Sequence, residues 1–217
     1  MVTPVDAKTG LFLNILLMHV VRFKSTRSLS VIHMITREEA YALLQKNIRT
    51  KNLLKHSLAV EAILSTMAQR LGEDQELWAV TGLLHDLDYE FTKEEPERHA
   101  FVTVKMVDEL LPREAINAIK AHNYQYTAQI PLTYLDKSLI AADAVSGLIV
   151  AAALVMPSKR LVDVTTKTLL DKFKDKSFAA SCNRKRIELC EDMELGLQVF
   201  LELSLQALKN ISSELGL

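Results

Sequence analysis

Apolar residues recur at the spacing of an α-helix along most of this 217-residue chain. Only 6 glycines and 5 prolines interrupt the pattern, which favours long helices joined by few tight turns. No stretch alternates convincingly between apolar and polar residues as a half-buried strand would, and neither a repeat nor a linker divides the sequence. The sequence therefore predicts an all-α fold, a compact single-domain bundle of helices.

The first 33 residues differ in character from those that follow. An apolar run over Leu11–Val21 is too short to span a bilayer and is interrupted by Asn14. Basic residues follow it in Arg22–Arg27, and the small-residue cleavage site of a secretory signal is missing from the sequence. Met34 then opens a stretch typical of an ordinary protein start. We expect residues 1–33 to be an N-terminal extension, poorly ordered or derived from an upstream start codon, and residues 34–217 to form the helical domain.

Start and stop signals divide this domain into helices. Thr36 and Glu39 have the spacing of a capping box at the start of the first helix, and Gly72 suits the end of a second helix over about 51–71. Asp74 is a suitable N-cap for the third helix. Later helices are expected over about 97–111, 112–122 and 137–155, the last capped by Asp136, with helical segments at about 162–174 and 184–215.

An adjacent His-Asp pair, His85 and Asp86, closes the apolar run Thr81–Leu84 at the end of the third predicted helix. A neutral imidazole and a carboxylate are both metal ligands, and both are costly to bury alone. Asp143 interrupts the most apolar of the predicted helices and therefore needs a partner. Four residues of these types lie among apolar neighbours on separate predicted helices: His56, His99, His122 and Asp143.

Helical bundles build metal sites from side chains that converge on the core from facing helices. Two His and two Asp from three helices would hold one divalent ion and leave positions open for water. We therefore expect a metal site ligated by His56, His85, Asp86 and Asp143. A buried structural salt bridge is the alternative for Asp143.

The order of His56, the His85-Asp86 doublet and the distant Asp143 resembles that of the HD-domain superfamily of metal-dependent phosphohydrolases. The resemblance covers about residues 51–155. In length and in the stretch Gly82–Tyr89, the chain is similar to stand-alone, poorly characterised bacterial HD hydrolases. Leu87-Asp88 stands where the cyclic-dinucleotide phosphodiesterase branch has Ile-Gly, so a cyclic dinucleotide is not expected as substrate.

The resemblance implies an HD-type helical domain and a metal-dependent phosphoric ester hydrolase. Its substrate would be a small phosphomonoester or nucleotide, and a metal-activated water would be the nucleophile. The divalent ion would be Mn, Fe, Mg, Co, Ni or Zn. Binuclear members carry two further His between the doublet and the last Asp, where this chain has His99 and His122. These would bind a second ion, with Asp86 as the bridge; otherwise His99 would be exposed and His122 would interact with its helix dipole.

The residues that carry out the chemistry are less constrained by the pattern. Asp86, or the nearby Asp88, would orient the water or take its proton. Lys93 or Lys172 would neutralise the phosphate, and the segment Pro157–Arg186 around Lys172 is rich in basic residues. Alternatively, Asp88 would be a surface acid and the lysines near Lys172 a solvated face. Two other functions stay open: a diiron oxygenase on the same fold, and a non-catalytic sensor that binds a metal or nucleotide.

Charge and cysteine content bear on the partners. The net charge of −1 gives no overall field that attracts nucleic acid, so we expect a small phosphorylated substrate and no nucleic acid polymer. The two cysteines, Cys182 and Cys190, form no CxxC motif, which fits a reducing compartment and a cytoplasmic protein. We expect no membrane association, and the oligomeric state, including a dimer, is left open.

Overall fold

The computed structural model describes residues 34–217 of the chain. The expected extension over residues 1–33 lies outside the described residues, so the domain boundary at residue 34 stays a prediction. Within residues 34–217 the secondary structure is helical and contains no β-strand, which confirms the all-α fold. The α-helices are α1 (Arg37–Asn47), α2 (Lys51–Leu71), α3 (Gln75–Leu84), α4 (Tyr89–Thr92), α5 (Phe101–Val107), α6 (Arg113–His122), α7 (Tyr124–Thr127), α8 (Tyr134–Leu154), α9 (Thr166–Lys174), α10 (Arg184–Ile187), α11 (Leu197–Asn210) and α12 (Ser212–Leu215), and 3-10 turns cover Leu161–Asp163 and Glu188–Met193.

Capping residues explain several of the helix boundaries. The Thr36 side chain accepts a hydrogen bond from the backbone N–H of Glu39, and the Glu39 carboxylate accepts one from Thr36 N at 2.9 Å, as the capping box predicts. Asp74 accepts hydrogen bonds from two N–H groups in the first turn of α3. Gly72 follows α2 with a φ of 77°, a left-handed conformation that glycine adopts without steric cost.

The expected start of the central helix α8 is wrong by three residues. The helix begins at Tyr134 because Thr133, rather than Asp136, is its N-cap. Asp136 occupies the third helical position, where its carboxylate accepts a hydrogen bond from Thr133 N at 2.9 Å and completes a second capping box.

The helix expected from about residue 97 also begins later, at Phe101. Ala100 has a positive φ of 71°, and a right-handed α-helix requires a negative φ at every residue, so the helix cannot continue through it. The side chain of Asn123 holds the preceding turn by donating hydrogen bonds to the carbonyl oxygens of Pro96 and His99, at 2.9 and 3.0 Å. His99 therefore lies in a turn before α5, and not on a helix as expected.

Two helices of 21 residues each, α2 and α8, form the centre of the bundle. α2 packs against α3, α8 and α11, and α8 also packs against α6. The largest wholly buried side chains of the core include Trp78 on α3, Phe200 on α11 and Leu64 on α2. Since α2, α3, α6 and α8 meet in one core, polar residues on their facing sides are brought together inside it.

Gly82 allows α2 and α3 to lie very close to each other. A Cβ atom at this position would lie 3.0 Å from the carbonyl oxygen of Val60 and 3.0 Å from the Cδ1 atom of Leu64. Backbone cannot move aside as a flexible side chain can, so any larger residue would push the helices apart. Because His56 lies on α2 and His85 directly follows α3, this glycine helps to set the distance between the two imidazoles.

α8 is long and apolar enough to cross a membrane by length and composition, and among the described residues it is the one helix that is. In its most apolar stretch, however, 61% is buried inside the fold. The high hydropathy of α8 thus matches its place in the protein core.

Candidate metal centre

Six acidic and imidazole side chains meet where α2, α3, α6 and α8 pack together. The His-Asp doublet occupies the turn at the end of α3, and the others come from α2, the turn before α5, the last residue of α6 and the middle of α8. The structure thus places side by side all six residues expected as metal ligands: His56, His85, Asp86, His99, His122 and Asp143.

Asp86 lies at the centre of this group. Its Oδ1 atom is 3.3 Å from the Nε2 atom of each of three histidines, which are His85, His99 and His122. Its Oδ2 atom lies 3.7 Å from the Nε2 atom of His56. No other side chain of the six contacts all four imidazoles in the part of the chain that the structure describes.

Two sets of ligand atoms can be recognised in this arrangement. One set comprises His56, His85 and Asp86, and the other comprises Asp86, His99 and His122; within each set the ligand atoms lie within 4.8 Å of one another. Asp143 adjoins the first set, because its Oδ1 atom is 3.3 Å from His56 Nε2. The sets share Asp86, which is the arrangement of a carboxylate able to bridge two ions.

Hydrogen bonds at the far side of each ring fix which nitrogen faces inward. Nδ1 of His85 lies 2.8 Å from the carbonyl oxygen of Gly82, and Nδ1 of His122 hydrogen-bonds the carbonyl oxygen of Ile119. Nδ1 of His99 lies 2.7 Å from the Asp88 carboxylate. A carbonyl or carboxylate only accepts, so in the neutral rings Nδ1 carries the proton and Nε2 presents a lone pair.

His56 follows the same rule through a hydroxyl group. Ser146 Oγ donates its proton to the carbonyl oxygen of Asp143 at 2.8 Å, so it accepts from Nδ1 of His56 at 3.2 Å. In its neutral form, each of the four imidazoles therefore directs an Nε2 lone pair towards the Asp86 and Asp143 carboxylates.

These inward-facing nitrogens fit a cation. Nε2 of His99 and Nε2 of His122 lie 2.9 Å apart, although neither can donate to the other when both carry the proton on Nδ1. Nε2 of His85 is buried and has no hydrogen-bond partner among residues 34–217. Buried lone pairs without a donor are costly, and a divalent metal ion is the group that would satisfy several of them at once.

The electrostatics of the site agree with this interpretation. Burial raises the pKa of Asp86, but the neighbouring imidazoles of His85, His122 and His99 outweigh it and hold that pKa well below its usual range. Desolvation also acts to raise the pKa of the partly buried Asp143, but the contacts with His56 and Arg186 outweigh it and lower that pKa. Both carboxylates are therefore negatively charged at neutral pH.

The histidines respond to their surroundings in opposite directions. Burial lowers the pKa of His85 to about 4, so this ring is neutral. Burial also acts to lower the pKa of His99, but hydrogen bonds with Asp86 and Asp88 raise it to about 10. A metal ion at this position would have to displace that proton, so metal binding would release protons to solvent.

Asp88 is wholly buried, which contradicts the alternative that it is a surface acid. Its Oδ1 atom accepts the hydrogen bond from Nδ1 of His99, and its Oδ2 atom accepts one from Thr103 N at 2.9 Å. A carboxylate engaged in this way orients the imidazole and makes it a stronger ligand. The structure brings Asp88 to the back of His99, so the expected role with the attacking water stays a prediction that no contact supports within residues 34–217.

The two expected phosphate-binding lysines lie apart from the six residues. Lys93 is exposed at the C-cap of α4, and Nζ of Lys172 lies 4.5 Å from the centre of the Phe178 ring. Within the described residues, neither lysine forms an ion pair or hydrogen bond with the six. Their role in binding phosphate remains a prediction.

Arg186 is the cation that does contact the site, and it is not among the residues expected from the sequence. Its Nη2 atom donates hydrogen bonds to Asp143 Oδ2 at 3.0 Å and to the carbonyl oxygen of His122 at 2.7 Å. Asn183 caps α10 and so starts the short helix that carries Arg186. The signal in the sequence was the basic segment that ends at Arg186, but nothing in it distinguishes this arginine from its neighbours.

Access to the site is from one side. The side chains of His85 and His122 are 0% and 3% exposed, whereas those of His56 and Asp143 are each 24% exposed. Two cavities of about 380 and 220 Å³ both border His56. We call them the apolar cavity, walled by Ala59, Val150 and Leu154 among others, and the polar cavity, walled by Asp143, Asn183 and Arg186 among others.

Comparison with known proteins identifies this region of the chain. The HD domain family matches residues 53–153, a span that includes all six side chains of the site. Ribonuclease Y of Desulfotalea psychrophila is 34% identical over 140 residues, which cover 62% of this chain and 26% of that protein. Ribonuclease Y of Aquifex aeolicus is 35% identical over 100 residues, which cover 45% of this chain and 17% of that protein. No solved structure gives a significant match.

The chain thus spans about a quarter or less of the length of these curated relatives. Their name, Ribonuclease Y, specifies RNA, so the expectation that nucleic acid polymers are excluded as partners is wrong. That expectation relied on the net charge of −1, but binding of a polymer depends on the local charge around the site, not on the sum over the chain.

The family match and the doublet are consistent with each other, because the His and Asp residues that gave the resemblance lie within the matched span and meet in one place. Residues 53–153 form an HD domain, as their match to that family and the meeting of their six His and Asp side chains indicate.

Proposed function

We propose that this protein is a metal-dependent phosphoester hydrolase. One observation carries the proposal: the Nε2 atoms of three histidines surround a single oxygen of Asp86 at 3.3 Å. Such a donor set suits a divalent ion of the borderline type, and ligands of this kind leave coordination positions for water and substrate.

The ligands divide by position. His56, His85, Asp86 and Asp143 would hold one ion on the accessible side, and His99 with His122 would hold a second that shares Asp86. A divalent ion bound there would polarise a phosphoryl oxygen of the substrate and would lower the pKa of a water molecule bound to it.

The chain's own residues then perform separate tasks. Asp88 keeps His99 in the tautomer and orientation that a ligand needs, since it accepts the proton of Nδ1 at 2.7 Å. A carboxylate on the accessible side, Asp86 or Asp143, takes the proton that the attacking water loses. As the water oxygen bonds to phosphorus, the bond from phosphorus to the leaving oxygen breaks, and that oxygen takes a proton from solvent.

Two substrate classes fit this chemistry. The likeness to Ribonuclease Y supports the phosphodiester of RNA. A small phosphomonoester or nucleotide is the second candidate, and the two cavities beside His56 support it, because they offer room for a small molecule next to the ligands.

The proposal is tested by turnover with defined metals. The protein, stripped of metal and reloaded with manganese, iron, magnesium, cobalt, nickel or zinc in turn, is assayed with a single-stranded RNA, nucleotides and simple phosphomonoesters. Asp86→Ala is the control for a contaminating phosphatase or nuclease. Hydrolysis by the reloaded protein and not by the variant is the expected result; no turnover of any substrate with any metal would overturn the proposal.

A diiron oxygenase is the competing enzyme class, because two ligand sets that share Asp86 also suit a pair of irons. Iron at two atoms per chain together with substrate-dependent oxygen consumption would favour it. Tight nucleotide binding without hydrolysis would instead favour a sensor.

A further inference from the structure

We propose that Arg186 binds the phosphate of the substrate in the polar cavity, and that the apolar cavity takes the nucleoside unit attached to that phosphate. This inference rests on the proposed function and names the part of the molecule that recognises its substrate. The ligand is a terminal nucleotide phosphate, which a free nucleotide and the end of an RNA chain both present.

The first argument is the state of the Arg186 guanidinium. Nη2 alone makes both of its hydrogen bonds, to Asp143 and to the carbonyl oxygen of His122. Nε is buried without a hydrogen-bond partner in the described part of the chain, and Nη1 makes no hydrogen bond there either. A guanidinium has five N–H donors in a planar fork, so Arg186 keeps unused donors of the geometry that suits a phosphate.

The second argument is its position. Arg186 and Asp143 both wall the polar cavity, which also borders His56, so a group in this cavity lies beside the accessible ligands. Positive charge is needed there because two carboxylates, Asp86 and Asp143, would otherwise repel a phosphate. Lys93 and Lys172, by contrast, wall neither cavity.

The third argument is the neighbouring cavity. It shares His56 and Gly147 with the polar cavity, so one ligand can extend from one into the other. Its volume of about 380 Å³ lies at the small end of the usual range for small-molecule sites, which suits a single nucleoside. Ala59, Val150 and Leu154 offer an apolar wall for a base, and Asn52 and Lys55 offer polar groups at its edge.

The test separates binding from turnover. Arg186→Met removes the guanidinium but leaves a side chain of similar length, and Arg186→Lys keeps a positive charge without the planar group. Lys185→Met, which removes the adjacent and exposed charge, is the matched control. Dissociation constants for inorganic phosphate and for adenosine 5′-monophosphate are measured by calorimetry on manganese-loaded protein, with metal content and thermal unfolding recorded for each variant.

We expect Arg186→Met to weaken phosphate binding about ten-fold or more, Arg186→Lys to restore part of it, and Lys185→Met to change it little. Metal content should stay at the wild-type level in all three. Wild-type phosphate affinity in Arg186→Met would overturn the assignment. Loss of metal together with phosphate binding in both Arg186 variants would also overturn it, because Arg186 would then act by supporting Asp143.

The apolar cavity is tested by filling it. Val150→Phe should weaken binding of adenosine 5′-monophosphate and leave inorganic phosphate unaffected, whereas Val155→Phe, at an exposed valine beyond the end of α8, should affect neither. Equal nucleotide affinity in Val150→Phe and wild type would overturn the nucleoside assignment. A 5′-phosphorylated tetraribonucleotide, measured in parallel, shows whether a chain end or a free nucleotide binds more tightly. Absence of turnover would count against the proposed hydrolase alone, since these binding comparisons do not depend on it.

Discussion

The two halves of the site are built differently around the same type of ligand. In the deep half, His99 and His122 are held from behind by buried acceptors, and their side chains are 14% and 3% exposed. In the open half, His56 and Asp143 border the polar cavity, and Asp143 contacts Arg186. The deep half is therefore organised to keep one geometry, and the open half leaves room for a ligand to enter and leave.

Asp86 joins the halves, because its Oδ1 atom lies 3.3 Å from His99 and His122 of the deep half and its Oδ2 atom lies 3.7 Å from His56 of the open half. Asp86→Ala should have the largest effect of any single change, since it removes a ligand from both sets. We expect loss of bound metal and a fall in hydrolysis of roughly a thousand-fold or more.

The matched comparison is His99→Ala, which should lose only the ion of the deep half. Metal per chain is measured by elemental analysis after gel filtration, with circular dichroism to verify folding. An Asp86→Ala protein that keeps the wild-type metal content would show that the two halves do not share a ligand.

Asp88 tests whether the deep half depends on its buried support. Asp88→Asn should weaken binding of the deep ion by about 10- to 100-fold, because the amide holds the His99 ring less firmly and does not increase its basicity. Glu94→Gln, an exposed acid on the same charged segment, is the control. Metal titrations that give the same affinity for Asp88→Asn and Glu94→Gln would remove Asp88 from the site.

Gly82 tests whether α2 and α3, the helices that position His56 and His85, are as closely packed as the structure shows. Gly82→Val should lower the free energy of unfolding by about 1–3 kcal/mol, because the side chain meets the backbone of α2. Gly196→Ala is the matched control, since an added Cβ there has no atom within 4 Å among the described residues. Urea unfolding measures both, and equal stability of the two variants would contradict the close packing.

The cysteines provide the mildest probe of the difference between open and buried surroundings. Cys182 borders the polar cavity, whereas Cys190 is wholly buried and burial raises its pKa to about 12. We expect a thiol reagent at pH 8 to modify one cysteine per folded chain and both after denaturation. Cys182→Ser should abolish the reaction of the folded protein; rapid labelling of Cys190 in that variant would show that the core opens.

The sequence could predict that His85, Asp86 and Asp143 have polar partners, because they break strong local patterns. Asp143 stands inside an apolar helix, and the His85-Asp86 pair ends an apolar run, so burial and a need for a partner follow from neighbours a few residues away. The all-α fold follows from the same periodicity.

The residues that contact the expected ligands from behind, Asp88 and Arg186, could not be predicted in this way. Asp88 lies in a charged segment that is typical of a surface loop, and its burial results from Thr103 and His99, 15 and 11 residues further along the chain. Arg186 contacts Asp143 across 43 residues, and its basic neighbours carry the same local signal. Contacts of this range depend on tertiary packing, which periodicity does not encode.

The hydrogen bond from Thr103 N to Asp88 Oδ2 has a spectroscopic consequence. This amide lies in the first turn of α5 and is joined through one carboxylate to the Nδ1 proton of His99. Any change in what His99 Nε2 binds alters the charge on that carboxylate, and the amide proton of Thr103 senses it. In isotope-labelled protein, its NMR resonance would therefore report occupancy of the deep half without turnover.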